Sequence, residues 1–260
     1  MGDPRSGTDD TMPKVVRNPD TNLPAIVIGQ SLPSPLSGAD GSALLLKTSR
    51  LSQSAHLLEH APAFLTTAEK NRAESFLRGE DRDRFVLGRM MVRSMLAAMP
   101  GGHSTKADFA LTREGRPFIS RRPDLSFSIS HSGDVVLVGL AEGLQLGVDV
   151  EMERDGVEME GVTRLVFTPA ERRAIFQGTA RETATAFFRH WTAKEAFLKA
   201  AGSGFLIDPL DVQIDLPQRP GFADLAADIE ARFGGGWRIA EIGLFEEYRA
   251  HVAWRRRLFK

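Results

Sequence analysis

Leu65-Thr66-Thr67-Ala68-Glu69 and Phe167-Thr168-Pro169-Ala170-Glu171 carry one local signal twice, about one hundred residues apart. In each, a threonine hydroxyl stands three residues before a glutamate. That is the capping-box pattern, which satisfies free N–H groups at a helix start. Pro169 adds a residue suited to the first helical position. A helix follows each copy. The first helical pattern runs toward Phe76 and a second covers 85–99, with Pro100-Gly101-Gly102 as its stop. In the other half a helix covers about 184–201. Short strands surround these helices. They are expected near 43–46, 109–112, 125–129, 135–140 and 146–151, then near 212–214, 237–244 and 248–255. His131-Ser132-Gly133-Asp134 reads as a turn, and so does Gly234-Gly235-Gly236.

The repeated order predicts an α+β fold of two similar halves in a pseudo-twofold arrangement. Each half is a small antiparallel sheet packed with a long helix, and the cleft between them is the natural ligand site. The halves are 43–145 and 146–260. Residues 1–42, rich in Pro, Gly, Ser, Thr, Asn and Asp, are expected to form a flexible arm.

Composition narrows the function classes. The 260 residues are 42% apolar and 26% charged, with a formal net charge of -1. A general nucleic-acid role gains nothing from that charge. There is no cysteine, so disulfides, thiolate catalysis and cysteine-ligated zinc are excluded. No apolar run has membrane-spanning length, and the N-terminus lacks the apolar stretch of a signal peptide. A cytoplasmic protein without membrane attachment is the expectation. No P-loop, dinucleotide-binding glycine loop or His-Glu-x-x-His motif is present.

Several residues could carry chemistry, and each has a plainer reading. In Gly147-Val148-Asp149-Val150-Glu151, strand alternation puts Asp149 and Glu151 on one face and the valines on the other. The pair is either an exposed acidic strand end or an oxygen-donor site for a hard divalent cation. Trp191, Glu195 and Lys199 share a helix face. Glu195 and Lys199 form either an intrahelical ion pair or a metal carboxylate with a phosphate-binding lysine. His131 is a turn histidine or a phosphate donor. The capping box alone accounts for Glu171. Arg84, Arg89 and Arg93 are solvated helix arginines or a phosphate clamp. Arg116 lies in a tight Gly115-Arg116-Pro117 turn.

Taken in order, these segments resemble a known family. Gly115-Arg116-Pro117, Phe127-Ser128-Ile129-Ser130-His131-Ser132, Leu146 to Glu151, Phe167 to Glu171 and Trp191-x-x-Lys194-Glu195-x-x-x-Lys199 are similar to the phosphopantetheinyl transferases. The likeness covers about 65–214 and is nearer to the large, pseudo-dimeric class than to the small trimeric one. It implies that Asp149, Glu151 and Glu195 bind the metal, Mg²⁺ or alternatively Mn²⁺. It implies that Lys199 contacts the coenzyme A phosphates and that Ser130 and His131 meet the nucleotide end, His131 at the 3′-phosphate. Arg116 matches the basic residue of the family's turn, Arg84 an arginine of its N-terminal segment, and Lys70 a nearby lysine. Glu171 matches an acid linked to activation of the attacking serine.

The implied reaction moves the phosphopantetheine arm of coenzyme A, the co-substrate, onto a serine of an apo acyl or peptidyl carrier protein. Glu195 or Glu171, directly or through water, is the expected base. A monomer is expected, because duplication supplies both walls of the cleft. Two other readings are a metal-dependent phosphodiesterase and a non-catalytic carrier-binding paralogue.

Overall fold

The structure, a computed structural model, describes residues 15–17, 24–26, 30–32, 44–99, 109–113, 115–154, 159–202 and 207–257. Three short strands, β1 (Val15–Arg17), β2 (Pro24–Ile26) and β3 (Gln30–Leu32), precede β4 (Leu44–Arg50). Then come α1 (Leu51–Ser54), a 3₁₀ segment (Ala55–His60), α2 (Ala61–Phe64), α3 (Thr67–Glu74) and α4 (Gly79–Ala97). Five strands follow: β5 (Phe109–Leu111), β6 (Pro117–Ile119), β7 (Leu125–Ser132), β8 (Val135–Glu142) and β9 (Leu144–Met152). The second half continues with α5 (Met159–Val166), α6 (Pro169–Ile175) and α7 (Ala180–Ala201). It ends with β10 (Ile214–Asp215), β11 (Phe222–Leu225), α8 (Ala227–Phe233), β12 (Arg238–Glu241) and β13 (Tyr248–Arg256).

Two antiparallel sheets carry the architecture, in the orders β3-β4-β8-β7 and β10-β11-β12-β13-β9. Strand alternation divides the core into layers. On β8, Val136, Val138 and Leu140 face α4 and its Leu87, Met90 and Met91. Val135 and Leu137 face the other way, against Val148, Val150 and Val252 of the second sheet. The far face of that second sheet packs on α7 through Ala193, Ala196, Phe197 and Ala253. The order is therefore helix, sheet, sheet, helix. It is the α+β pair of halves that the repeated capping boxes predict, and both boxes form.

Some elements depart from expectation. β3 lies within the stretch read as a flexible arm, yet it pairs with β4 through Gln30–Thr48 and Leu32–Leu46. Its polar composition hides an edge strand, where one side of the ladder is enough. α4 begins at Gly79, six residues before the apolar pattern, because its first turn is acidic and solvated. α7 begins at Ala180 behind a third capping box, Thr179 with Glu182. The stop at Pro100-Gly101-Gly102 lies outside the described residues, as do Glu114 and most of 1–42.

The two sheets meet edge to edge at β7 and β9, and side chains rather than a backbone ladder join them. Ser126 Oγ donates to the Leu144 carbonyl. Ser128, Ser130 and Ser132 accept from the backbone N–H groups of Val148, Val150 and Met152 at 3.1, 3.3 and 3.1 Å. Alternate serines on one strand thus satisfy the outward-facing edge of the other.

Behind β9, α7 approaches closely at Gly147. A Cβ there would stand 2.1 Å from the Ala196 carbonyl oxygen and 2.5 Å from the Ala200 nitrogen. Both neighbours are helix backbone, which cannot swing aside. Gly147→Ala is expected to destabilise the protein by about 2–3 kcal/mol or to prevent folding. Urea unfolding against wild type checks this; an unchanged midpoint would mean the strand and helix are less tightly apposed.

Candidate active site

A cleft of about 870 Å³ opens between the halves. The first half lines it with Phe85, Arg89, Arg116, Phe127, Ser128 and His131. The second contributes Glu195, Leu198, Lys199, Gly202, Ile207 and Pro209. The volume suits an organic ligand with an apolar body and a few charged groups.

Lys199 connects the cleft to the acids of β9. Its Nζ lies 2.5 Å from Asp149 Oδ1 and 3.2 Å from Ser130 Oγ. Ser130 Oγ donates to the same Asp149 oxygen at 2.7 Å. Asp149 is only 3% exposed, and its second oxygen, Oδ2, is buried with no hydrogen-bond partner. Glu151 and Glu195 flank it. Burial, reinforced by the Asp149 charge, raises the pKa of Glu195 above the usual carboxylate range. Burial raises Glu151 too, partly offset by the Ser132 hydroxyl, which donates to Oε2 at 2.6 Å. Lys199 lies four residues along α7 from Glu195, yet its ion pair is with Asp149 on β9. The intrahelical-pair reading therefore gives way to a tertiary one.

This group bears on a metal. Among the described residues, no three acids or imidazoles converge into a formed metal cage. The donor set nevertheless fits a hard cation. It is all oxygen, the Asp149 charge raises the proton affinity of Glu151 and Glu195 beside it, and it holds an orphaned buried oxygen. An unpaired buried acceptor is costly, and a cation would satisfy it.

The other sequence candidates fall at different depths. Arg116 donates to the Ala200 and Leu146 carbonyls at 3.2 and 2.8 Å, so its guanidinium clasps the end of α7 and β9 while lining the cleft. Its charge suits a helix C-terminus. His131 stands at the cleft mouth. Burial, then the nearby Arg84 charge, keeps its pKa below the ordinary histidine value. Arg84 donates to the Gly133 carbonyl at 2.7 Å and pairs with Asp81 and Glu80. Ser130 is buried in the β7–β9 seam rather than in the cleft wall. Lys70 is exposed on α3.

Glu171 is not brought to the cleft. It is 2% exposed, and its oxygens accept from the Thr168 and Ile214 N–H groups at 2.8 and 3.0 Å and from Lys194 Nζ at 2.6 Å. Lys194 donates also to the Val166 and Pro209 carbonyls, so all three of its protons are placed. This pair pins α6 to α7. Sequence reasoning passed over Lys194, since a lysine on a helix is ordinarily solvated. It likewise missed that Arg93 is fully buried, bidentate on Glu69 at 3.1 and 2.8 Å and 4.2 Å from the Phe109 ring centre. His251, opposite Asp149 in the β9–β13 register, is a further buried group without a sequence signal. Burial pushes its pKa down to about 3, so it stays neutral beside Thr192.

Comparison with known proteins shows the family of the chain. Residues 145–252 match the family model of the 4'-phosphopantetheinyl transferase superfamily, and residues 51–142 match that of the 4'-phosphopantetheinyl transferase N-terminal region. The chain belongs to the 4'-phosphopantetheinyl transferase superfamily. It is 32% identical over 157 residues to the 4'-phosphopantetheinyl transferase HetI of Nostoc sp., covering 59% of this chain and 66% of that protein. It is 28% identical over 153 residues to the 4'-phosphopantetheinyl transferase Sfp of Bacillus subtilis, again covering 59% and 66%. The match thus spans just under two thirds of the length of each relative.

The buried Lys194–Glu171 pair generates a stability prediction. Lys194→Met leaves a carboxylate stranded in the core and is expected to cost about 3–5 kcal/mol. The double variant Lys194→Met/Glu171→Leu removes the stranded charge and is expected to recover part of that loss. Urea unfolding of wild type, single and double variants checks this; a single variant as stable as wild type would show the pair to be inessential.

Proposed function

We propose that this chain transfers the 4′-phosphopantetheine arm of coenzyme A to a serine of an apo acyl or peptidyl carrier protein, releasing 3′,5′-adenosine bisphosphate. The observation that carries this reading is the Asp149–Lys199 contact at a cleft lined by both halves, with an orphaned carboxylate oxygen beside it. The family of the chain and the names of its relatives support it.

The residues suit the charges involved. The serine oxygen forms a bond to the β-phosphorus of coenzyme A, and the bond from that phosphorus to the bridging oxygen breaks. Electrons pass to the departing bisphosphate, and the hydroxyl proton must go to a base. Lys199 supplies positive charge at the cleft wall, Arg116 extends it along the same cleft, and the His131 imidazole can donate a hydrogen bond there. Glu195 lines the cleft and is the carboxylate proposed to take that proton, directly or through water. Glu171, held by Lys194 and two backbone N–H groups, is better read as a structural acid. Asp149, Glu151 and Glu195 are the residues that would hold Mg²⁺ or Mn²⁺. When bound, such an ion neutralises pyrophosphate charge and polarises the phosphoryl oxygens.

Both walls of the cleft come from one chain, which supports a monomer. The net charge of -1 offers no general attraction to nucleic acid. No described helix is long and apolar enough to cross a membrane. A cytoplasmic setting is proposed from the absence of cysteine in the sequence.

Intact mass measurement of apo carrier proteins incubated with the protein, coenzyme A and Mg²⁺ tests the reading. The expected result is a gain of one phosphopantetheinyl group, abolished by EDTA. Glu195→Gln is expected to slow the gain by about 10²–10⁴-fold with the fold retained. No gain on any carrier, together with no coenzyme A binding, would overturn the reading.

His131 provides a second check. Its lowered pKa reflects burial and the Arg84 charge, both of which favour the neutral ring. A bound phosphate favours the charged ring, so 3′,5′-adenosine bisphosphate is expected to move the titration upward. NMR titration of the imidazole with and without the nucleotide measures the direction; an unmoved titration would remove His131 from the phosphate site.

A further inference from the structure

The serines of β7 do two jobs that divide along the strand. All four of Ser126, Ser128, Ser130 and Ser132 bond to the backbone of β9. Only Ser130 and Ser132 also bond to carboxylates, Asp149 at 2.7 Å and Glu151 at 2.6 Å. The geometry of the second pair is directional. Ser132 Oγ accepts from the Met152 N–H at 3.1 Å. With that side of the oxygen engaged, its single proton is directed to Glu151 Oε2. The backbone of β9 therefore fixes the hydroxyl, and the hydroxyl fixes the carboxylate of the preceding residue.

We propose that Ser132 is a positioning residue for Glu151, holding that carboxylate in one rotamer for the divalent cation. The inference rests on the metal reading given above and extends it to a residue outside the ligand set. The need for such a holder follows from the side chain. A glutamate has several rotatable bonds, and a carboxylate free to turn is a poorly pre-organised ligand. A hydroxyl donor that is itself fixed by the β9 backbone removes that freedom. Asp149 has a comparable restraint from Ser130 and Lys199. Glu195, on the helix, lines the open cleft. The two β9 acids are thus held by the seam between the halves, and the third comes from α7. Outer partners of metal-binding carboxylates contribute roughly 10–100-fold to metal affinity.

The experiment uses the full chain and Mn²⁺ alone, with binding followed by electron paramagnetic resonance and folding by thermal melting. The variants are Ser132→Ala, Ser132→Thr and Ser126→Ala. Ser132→Ala is expected to weaken Mn²⁺ binding by about 10-fold or more. Ser132→Thr keeps the hydroxyl and is expected to restore most of that affinity. Ser126→Ala removes a rung of the same seam whose hydroxyl bonds the Leu144 carbonyl and none of the three acids, so it is expected to lower stability and leave Mn²⁺ affinity unchanged. Wild-type affinity in Ser132→Ala would overturn the proposal. Equal weakening in Ser126→Ala would also overturn it, by reducing Ser132 to a structural rung. A wild-type protein that binds no Mn²⁺ would instead overturn the metal reading on which the proposal rests.

Discussion

The seam between β7 and β9 is the constraint on which the rest depends. An edge strand presents N–H and C=O groups that must be paired, solvated or covered. Here β9 cannot be solvated on that side, because the two sheets press together over Val135, Leu137, Val148 and Val150. Nor does β7 continue the ladder. Four serines, spaced by two, supply hydroxyls in place of backbone groups. A hydroxyl both donates and accepts, so it can close a backbone bond and still reach a side chain. That second valence is what couples the seam of the fold to the acids of the site.

The opposite face of β9 is set by a different requirement. α7 must come close enough for Glu195 and Lys199 to share a neighbourhood with Asp149 and Glu151. Gly147 permits this, since any side chain there would enter the helix backbone. The helix itself is anchored from behind by Lys194 on Glu171, and at its end by Arg116 on the Ala200 carbonyl. Three carboxylates and one lysine are thereby concentrated in a poorly solvated place. The Asp149 charge raises the proton affinity of both Glu151 and Glu195, the kind of perturbation that clusters at functional sites.

Arg116 and Glu171 show how a residue can match a functional pattern and be used differently. Arg116 lines the cleft, yet its guanidinium also clasps the two halves through backbone carbonyls. Glu171 caps a helix, receives a buried lysine and accepts the Ile214 N–H. An acid so fully engaged is a keystone of the second half, and of the two only Glu195 lines the cleft.

Much was legible in the sequence. Capping boxes are local, so Thr66–Glu69 and Thr168–Glu171 announced the duplicated halves without any knowledge of packing. Strand alternation was local too, and it placed the serines of β7 opposite Phe127 and put Asp149 and Glu151 on one face. What was not legible depends on contacts between distant segments. No periodicity reveals that Lys194 is buried, that Arg93 closes on Glu69, or that Lys199 reaches Asp149 rather than Glu195. β3 and the first turn of α4 escaped because polar residues carry no apolar pattern. The sequence by itself determined the elements, their faces and the oxygen-rich chemistry of the site, because these follow from nearest neighbours along the chain. Only the tertiary structure decided which charges meet, since burial and pairing energies exist only once the two halves close on one another.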